Sequence, residues 1–302
     1  MRDLIVIGAG PAGMTAALYA LRAGKSVLLI ECEACGGQIT QSRRVENYPG
    51  VAEISGLDLA DRMFSQVMEL GAEIEVGRVI GIQNEGEKKT VLTEGDAFEG
   101  RAVILATGVR HRKLGVPGEE ALIGKGISFC AVCDGAFFKE RRVAVLGGGN
   151  TAIQDALLLA ETSSEVYLIH RRDGFRAEKT LMDRVFSNER ITVITDTVVT
   201  EVLGEGALRA LQLRNVKTGE ERELAVDGLF EAIGSVPQNT PFSEIVDLDA
   251  DGYVDAREDC MTRTPGVFVA GDCRRKAIRQ LTTATADGSV AGLAAIEYLN
   301  AL

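Results

Sequence analysis

The sequence predicts an α/β protein made of two doubly wound, three-layer domains, one inserted into the other. Three observations carry that prediction: a repeated strand–glycine turn–helix–strand unit, a β-rich stretch that follows only the second copy, and short apolar strands near the end of the chain that complete the first. The first copy is Leu4–Ile7, GAGPAG over Gly8–Gly13, the helix-patterned MTAALYALRAG, and Ser26–Glu31. The second is Val143–Leu146, GGGNTA over Gly147–Ala152, IQDALLLAETS, and Val166–His170. A βαβ unit of about 30 residues is the smallest piece of a parallel sheet covered on both faces. Two of them, each opening its helix with a glycine turn, make both domains Rossmann-like and nucleotide-binding.

The remaining elements fall around these units. Gly56–Gly71 has helical spacing, with Leu57, Ala60, Met63, Phe64, Val67 and Leu70 on one side. Ala102–Ala106 reads as a strand ending in Thr107-Gly108. A β-rich stretch spans Ile191–Ile233, with turns at Gly204–Gly206 and Gly219. Val267–Ala270 is a strand ending in Gly271-Asp272, and Gln280–Leu299 a terminal helix. Residues 1–112 and 240–302 are expected to form one discontinuous domain, with 113–239 inserted into it.

Composition narrows the function classes. A chain of 302 residues that is 46% hydrophobic, with only 6 Pro, is globular rather than disordered. Lys and Arg number 33 against 44 Asp and Glu, for a net charge of −11, and there is no Trp, so nucleic acid is not an expected partner. No apolar run reaches about 18 residues, so no spanning helix is expected. The start MRDLIVIGAG lacks the basic and cleavable regions of a signal peptide, so the expectation is cytoplasmic. The six cysteines then read as reduced, redox-active or metal-binding.

The two second strands end in opposite charge. Glu31, 18 residues after Gly13, can accept hydrogen bonds from a ribose diol and would repel a 2′-phosphate. His170-Arg171-Arg172, with Arg176 following, suits a 2′-phosphate through charge-assisted hydrogen bonds. The first pocket therefore reads as built for FAD or NAD and the second for NADP. A chain holding both is an electron-transfer enzyme.

The sulfur pattern adds the third part. Cys130-Ala131-Val132-Cys133 has the spacing of a redox pair, and Asp134 follows directly, placed to exchange a proton with a thiolate. A second CxxC, Cys32 to Cys35, stands immediately after Glu31 and reads as loop thiols. The two pairs together leave open a four-thiolate zinc site. Cys260 and Cys273 read as small core residues.

These motifs, in this order, resemble bacterial low-molecular-weight thioredoxin reductases almost end to end. The resemblance rests on GAGPAG at 8–13, Gly36-Gly37-Gln38, ENYPG at 46–50, ATG at 106–108, CAVCDG at 130–135, GGGNTA at 147–152, HRRDGFRAEK at 170–179, GVFVAGD at 266–272 and Arg279-Gln280. It implies a homodimer that carries electrons from NADPH through FAD to a Cys130–Cys133 disulfide and then to thioredoxin, with no metal. Cys133 would face the flavin ring, Cys130 would attack thioredoxin, and Asp134 would be the acid/base. Gly10, Pro11, Ala12, Gly13, Glu31, Gly37, Gln38, Asn47, Gly271, Asp272, Arg279 and Gln280 would hold FAD. Gly149, Asn150, Thr151, Ala152, His170, Arg171, Arg172 and Arg176 would hold NADPH. Two departures stand out: Gln154 occupies a position where many members carry Glu, and Cys32 and Cys35 are additions.

The disulfide and the NADPH site would share the inserted domain, yet both must reach one flavin. That implies rotation about the crossings near Arg110–Val116 and Gly234–Thr240. Rival readings keep the scaffold but use a ferredoxin donor, or a peroxiredoxin- or glutaredoxin-like acceptor. A further one is a non-catalytic zinc or electron-storage protein.

Overall fold

A computed structural model describes the whole chain, residues 1–302. The chain divides into two compact units, Met1–Arg110 with Val236–Leu302, and His111–Ser235. The sequence reading sets the crossings at 112/113 and 239/240. The chain passes between the units in two short strands, β7 (Val109–His111) and β16 (Ser235–Pro237).

The first unit begins with β1 (Arg2–Ile7), α1 (Pro11–Arg22), β2 (Val27–Glu31), α2 (Gly56–Glu69) and β3 (Glu73–Val76). A hairpin of β4 (Val79–Glu85) and β5 (Lys88–Thr93) leads into the long β6 (Ala97–Leu105). The returning chain adds β17 (Val267–Val269) and α7 (Leu281–Asn300). Strands β3, β2, β1, β6 and β17 are parallel neighbours in that order, and β5 and β4 join the early half of β6 antiparallel. Strand alternation divides the core. Leu4, Val6, Leu29 and Ile104 pack toward α1 and α7, while Ile5, Ile7, Leu28, Val103 and Leu105 face the other side.

Glycines let α7 lie close to α1: a Cβ on Gly288 would strike the Ala12 carbonyl. The hairpin carries a weak signal in the sequence, because β4 ends in the exposed polar run Gln83–Glu85 and β5 opens with two lysines. In α2 the expected face was rotated. Leu57 is 55% and Leu70 42% exposed, whereas Leu59, Ala60 and Val67 are buried. Ser55 caps this helix by accepting the Asp58 N–H, which places Leu57 in the solvent-facing first turn.

The second unit comprises α3 (Glu119–Leu122), β8 (Ile127–Ser128), α4 (Ala131–Asp134), β9 (Arg142–Leu146), α5 (Asn150–Leu159), β10 (Glu165–Ile169), α6 (Lys179–Phe186) and β11 (Ile191–Ile194). It continues through β12 (Thr197–Leu203), β13 (Ala210–Asn215), β14 (Glu221–Ala225) and β15 (Gly228–Glu231). The order β11-β10-β9-β15-β8 is parallel throughout. One face, with Val143, Val145, Leu168 and Phe230, is covered by helices. The other, with Ala144, Leu146, Ile169 and Leu229, packs on the antiparallel β12-β13-β14 sheet through Leu211 and Leu213. No helix of the structure is long and apolar enough to cross a membrane.

Candidate active site

The first glycine turn is shaped by what cannot fit there. Gly8 (φ +107) and Gly13 approach backbone so closely that a Cβ on either would collide, with the Ala106 carbonyl and the Gly8 carbonyl respectively. Gly10 caps α1 and Pro11 opens it, so the first N–H groups of the helix point out of the turn. Gly37 faces Gly10, and a Cβ on Gly37 would lie 3.4 Å from the Gly10 Cα. The two glycines thus line a cradle with no side chains of their own. Glu31, ending β2, is only 8% exposed and accepts the N–H groups of Ala9 (2.8 Å), Cys32 (2.8 Å) and Glu33 (3.0 Å).

The other expected residues of this unit converge from later in the chain. Gly271, against Ala12, donates its N–H to Asp287 (3.1 Å). Asp272 follows, and its buried Oδ1 faces the Lys276 ammonium at 3.6 Å. Burial pushes this carboxyl above the usual range, against the pull of Lys276 and Arg279. Arg279 lies over the Tyr253 ring at 4.0 Å and donates Nε–H to the Asp272 carbonyl (3.2 Å). Gln280 caps α7 reciprocally with Thr283 and accepts from the Asn47 amide (3.4 Å). The Gln38 amide donates to the Val109 carbonyl. An open glycine cradle at a helix start and two buried carboxyl groups, one ending β2 and one at Asp272, fit a dinucleotide with ribose hydroxyls to donate.

In the second unit Cys130 and Cys133 form a disulfide, with Cα atoms 5.3 Å apart. Cys130 caps α4, and its sulfur accepts the Cys133 N–H (3.1 Å). Ser128 donates its hydroxyl to Asp134 (2.6 Å) and accepts the Cys130 N–H (3.1 Å), joining the acid to the sulfur loop. Burial raises the Asp134 carboxyl above its ordinary value, and the Ser128 hydrogen bond opposes that rise. A largely buried acid is therefore tied through Ser128 to the sulfur loop. Cys32 and Cys35 are free thiols, raised by burial and by Glu31. Cys260 and Cys273 are buried in the core.

The second glycine turn runs from Gly147 to Ala152. Gly149 caps α5, and nothing lies within 4 Å of where its Cβ would be. Asn150 and Thr151 are exposed on the first turn, and Ala152 is buried beneath it. His170 underlies the turn: its ring occupies the space a Gly148 Cβ would need and packs on Phe175 at 4.9 Å. Burial holds this imidazole below its usual pKa. Arg171, Arg172 and Arg176 are exposed and take part in no ion pair within the chain. Three unpaired guanidiniums beside an open helix N-terminus fit a nucleotide with an additional phosphate.

Sequence reasoning missed the residues that support these. Asp287, buried on α7, gathers Gly271, Arg274 (3.0 Å) and Lys276 (3.0 Å). Its signal was an isolated acid in an otherwise small and apolar helix. Ser128 carried no signal, because its partner Asp134 is met only through the fold.

The chain belongs to the pyridine nucleotide-disulphide oxidoreductase family, whose pattern matches residues 2–288. As a member it is an NADPH-dependent flavoprotein oxidoreductase, with FAD and NADPH as cofactors. Its full length is similar to the thioredoxin reductases of Listeria innocua (44% identical, covering 99% of this chain and 94% of that one) and Bacillus subtilis (42%, 99% and 95%). The solved thioredoxin reductase of Streptococcus pyogenes matches with a TM-score of 0.97 at 42% identity, over 100% of this chain and 99% of that one.

Proposed function

We propose that this protein is a thioredoxin-disulfide reductase that passes electrons from NADPH, through FAD and the Cys130–Cys133 disulfide, to oxidised thioredoxin. The observation that carries this reading is the Cys130–Cys133 bond tied through Ser128 to the Asp134 carboxyl, in a chain with two glycine turns of opposite charge. The unit of 1–110 and 236–302 is the FAD domain, and 111–235 the NADPH domain. FAD held by this chain would supply the ring that converts a hydride from NADPH into an electron pair for the disulfide.

The chain's residues divide the remaining tasks. The turn at Gly10, Pro11, Ala12 and Gly13 would take the FAD pyrophosphate on its free N–H groups, and Glu31 and Asp272 would accept its hydroxyls. Gly37, Gln38, Asn47, Gly271, Arg279 and Gln280 would complete the FAD site. Gly149–Ala152 take the NADPH pyrophosphate, Arg171, Arg172 and Arg176 take its 2′-phosphate, and His170 braces the turn. Once the pair is reduced, the Cys130 thiolate attacks the thioredoxin disulfide and releases one thioredoxin thiolate. Cys133 then attacks Cys130 of the mixed disulfide, releasing the second and restoring the Cys130–Cys133 bond. Asp134 gives and takes the protons that these thiolates require.

The exposed Val290 and Leu293 on α7 and Tyr19 on α1 support a homodimer through that face.

A Cys130→Ser variant mixed with NADPH and oxidised thioredoxin tests the reading. The expected result is bleaching of the flavin with no thioredoxin dithiol formed. Continued thioredoxin reduction would overturn it.

A further inference from the structure

The loop after β10 carries three unpaired guanidiniums although two carboxylates, Asp173 and Glu178, lie in the same short run. Both carboxylates are engaged elsewhere. Glu178 pairs reciprocally with Asn150 at the start of α5: its N–H donates to Asn150 Oδ1 (2.9 Å), and Asn150 Nδ2 donates to its Oε1 (3.2 Å). Asp173 is held by Lys217 (3.1 Å), which also binds the largely buried Asp196 (3.0 Å). Asp196 sits at φ +50 and donates its N–H to the Arg172 carbonyl (3.3 Å). Between the clamps, the Arg176 N–H donates to the Gly148 carbonyl (2.8 Å).

We propose that Asn150 and Lys217 are positioning residues that clamp the arginine loop by its two carboxylates and thereby set the preference of this site for a nucleotide bearing a 2′-phosphate. The proposal rests on the reading of 111–235 as the NADPH domain. It assigns the Asn150 side chain to the loop and leaves only its backbone N–H to the glycine turn, since the oxygen and the nitrogen of its amide are both bonded to Glu178.

Two physical effects act in the same direction. A loop already fixed on the glycine turn loses less conformational entropy when the phosphate arrives. Carboxylates pinned to Asn150 and Lys217 are also kept from folding back onto Arg171, Arg172 or Arg176, where they would compete with the phosphate. NADH lacks that phosphate, so its binding should be nearly indifferent to both clamps.

The test compares kcat/KM for NADPH and NADH in the holoenzyme, with calorimetric binding of 2′,5′-ADP and 5′-ADP. Asn150→Ala removes two hydrogen bonds near charged groups and should lower the NADPH/NADH ratio about fivefold. Lys217→Ala removes two ion pairs of an exposed lysine, to Asp173 and Asp196, and should lower it about two- to threefold. The double variant should show roughly the product, because the two clamps share no partner. Glu178→Ala keeps its backbone donor and should fall between wild type and Asn150→Ala.

Asn150→Asp sets two carboxylates against each other and should lose the preference. Asn150→Asp with Glu178→Gln reverses the pairing and should regain most of it. Ratios within 1.5-fold of wild type in both Asn150→Ala and Lys217→Ala would overturn the proposal. So would equal losses with NADPH and NADH, or a double exchange that rescues nothing. If wild-type protein binds 2′,5′-ADP no tighter than 5′-ADP, the reading of the NADPH domain itself fails.

Discussion

Each unit ends a buried central strand in a carboxylate, and the two are treated in opposite ways. Glu31, at the end of β2, collects three backbone N–H groups. Glu231, at the end of β15, is 3% exposed, and the one backbone N–H that reaches it, that of Leu114, is shared with a neighbouring acid. Beside it lies Glu119, which takes the N–H groups of Leu114 (2.9 Å), Gly115 (2.6 Å) and Val116 (3.3 Å). Burial and that neighbouring acid push Glu231 up to about 8. Similar position and similar burial therefore give a carboxyl held by three backbone donors in one unit and a proton-retaining acid in the other. Donors decide the difference, and burial alone does not.

The sharpest way to test the contrast between the units is through their sulfurs. Cys133→Ser should abolish thioredoxin reduction, a loss of about a thousandfold or more, because no second sulfur remains to resolve the mixed disulfide. Cys32→Ser with Cys35→Ser should leave the rate within about twofold, and the wild-type pair should alkylate slowly at neutral pH, since burial and Glu31 keep both as thiols. Iodoacetamide labelling followed by mass spectrometry reads this directly. Rapid labelling at Cys32 would refute that contrast.

Removing the satisfied carboxylate is the next largest perturbation. Glu31→Ala strands the N–H groups of Ala9, Cys32 and Glu33 and should cost about 2–4 kcal/mol of stability. Purified protein should also lose its absorbance near 450 nm in proportion. Full flavin content in Glu31→Ala would detach this residue from the cofactor.

In the other unit, Arg171→Ala, Arg172→Ala or Arg176→Ala should each raise KM for NADPH about tenfold and leave that for NADH nearly unchanged. A parallel rise for both nucleotides would argue for general damage to the turn.

Glu231 gives the smallest effect, visible only against pH. An unfolded chain releases this proton near 4.3, whereas the folded protein holds it to about 8. The folded state thus binds the extra proton throughout that window, so stability falls as pH rises across it and levels off above about 8. Glu231→Gln should remove this slope and raise Tm by about 2–4 °C at pH 8 while changing it little at pH 4. A wild-type slope retained in the variant would mean that other groups produce it.

Much of the architecture was legible because each βαβ unit is local. Its strand, turn and helix lie within about 30 residues, and a Gly that must avoid a backbone clash cannot be disguised by composition. The antiparallel hairpin of β4 and β5 escaped notice because its partly exposed strands carry little apolar alternation. The face of α2 was misread because Leu57 and Leu70 share spacing with core residues, while the Ser55 cap determines which way the first turn looks.

The amino-acid order alone established the two glycine turns, the opposite charges at their strand ends and the spacing of Cys130 and Cys133, since these depend on residues close along the chain. Only the tertiary structure decided which polar groups meet across long separations. Asp287 meets Gly271 and Arg274, Glu178 meets Asn150, and Glu231 meets Glu119 without a donor to spare. Hydrogen bonding and ionisation depend on distance and on what each neighbour has already spent, and neither is written in one dimension.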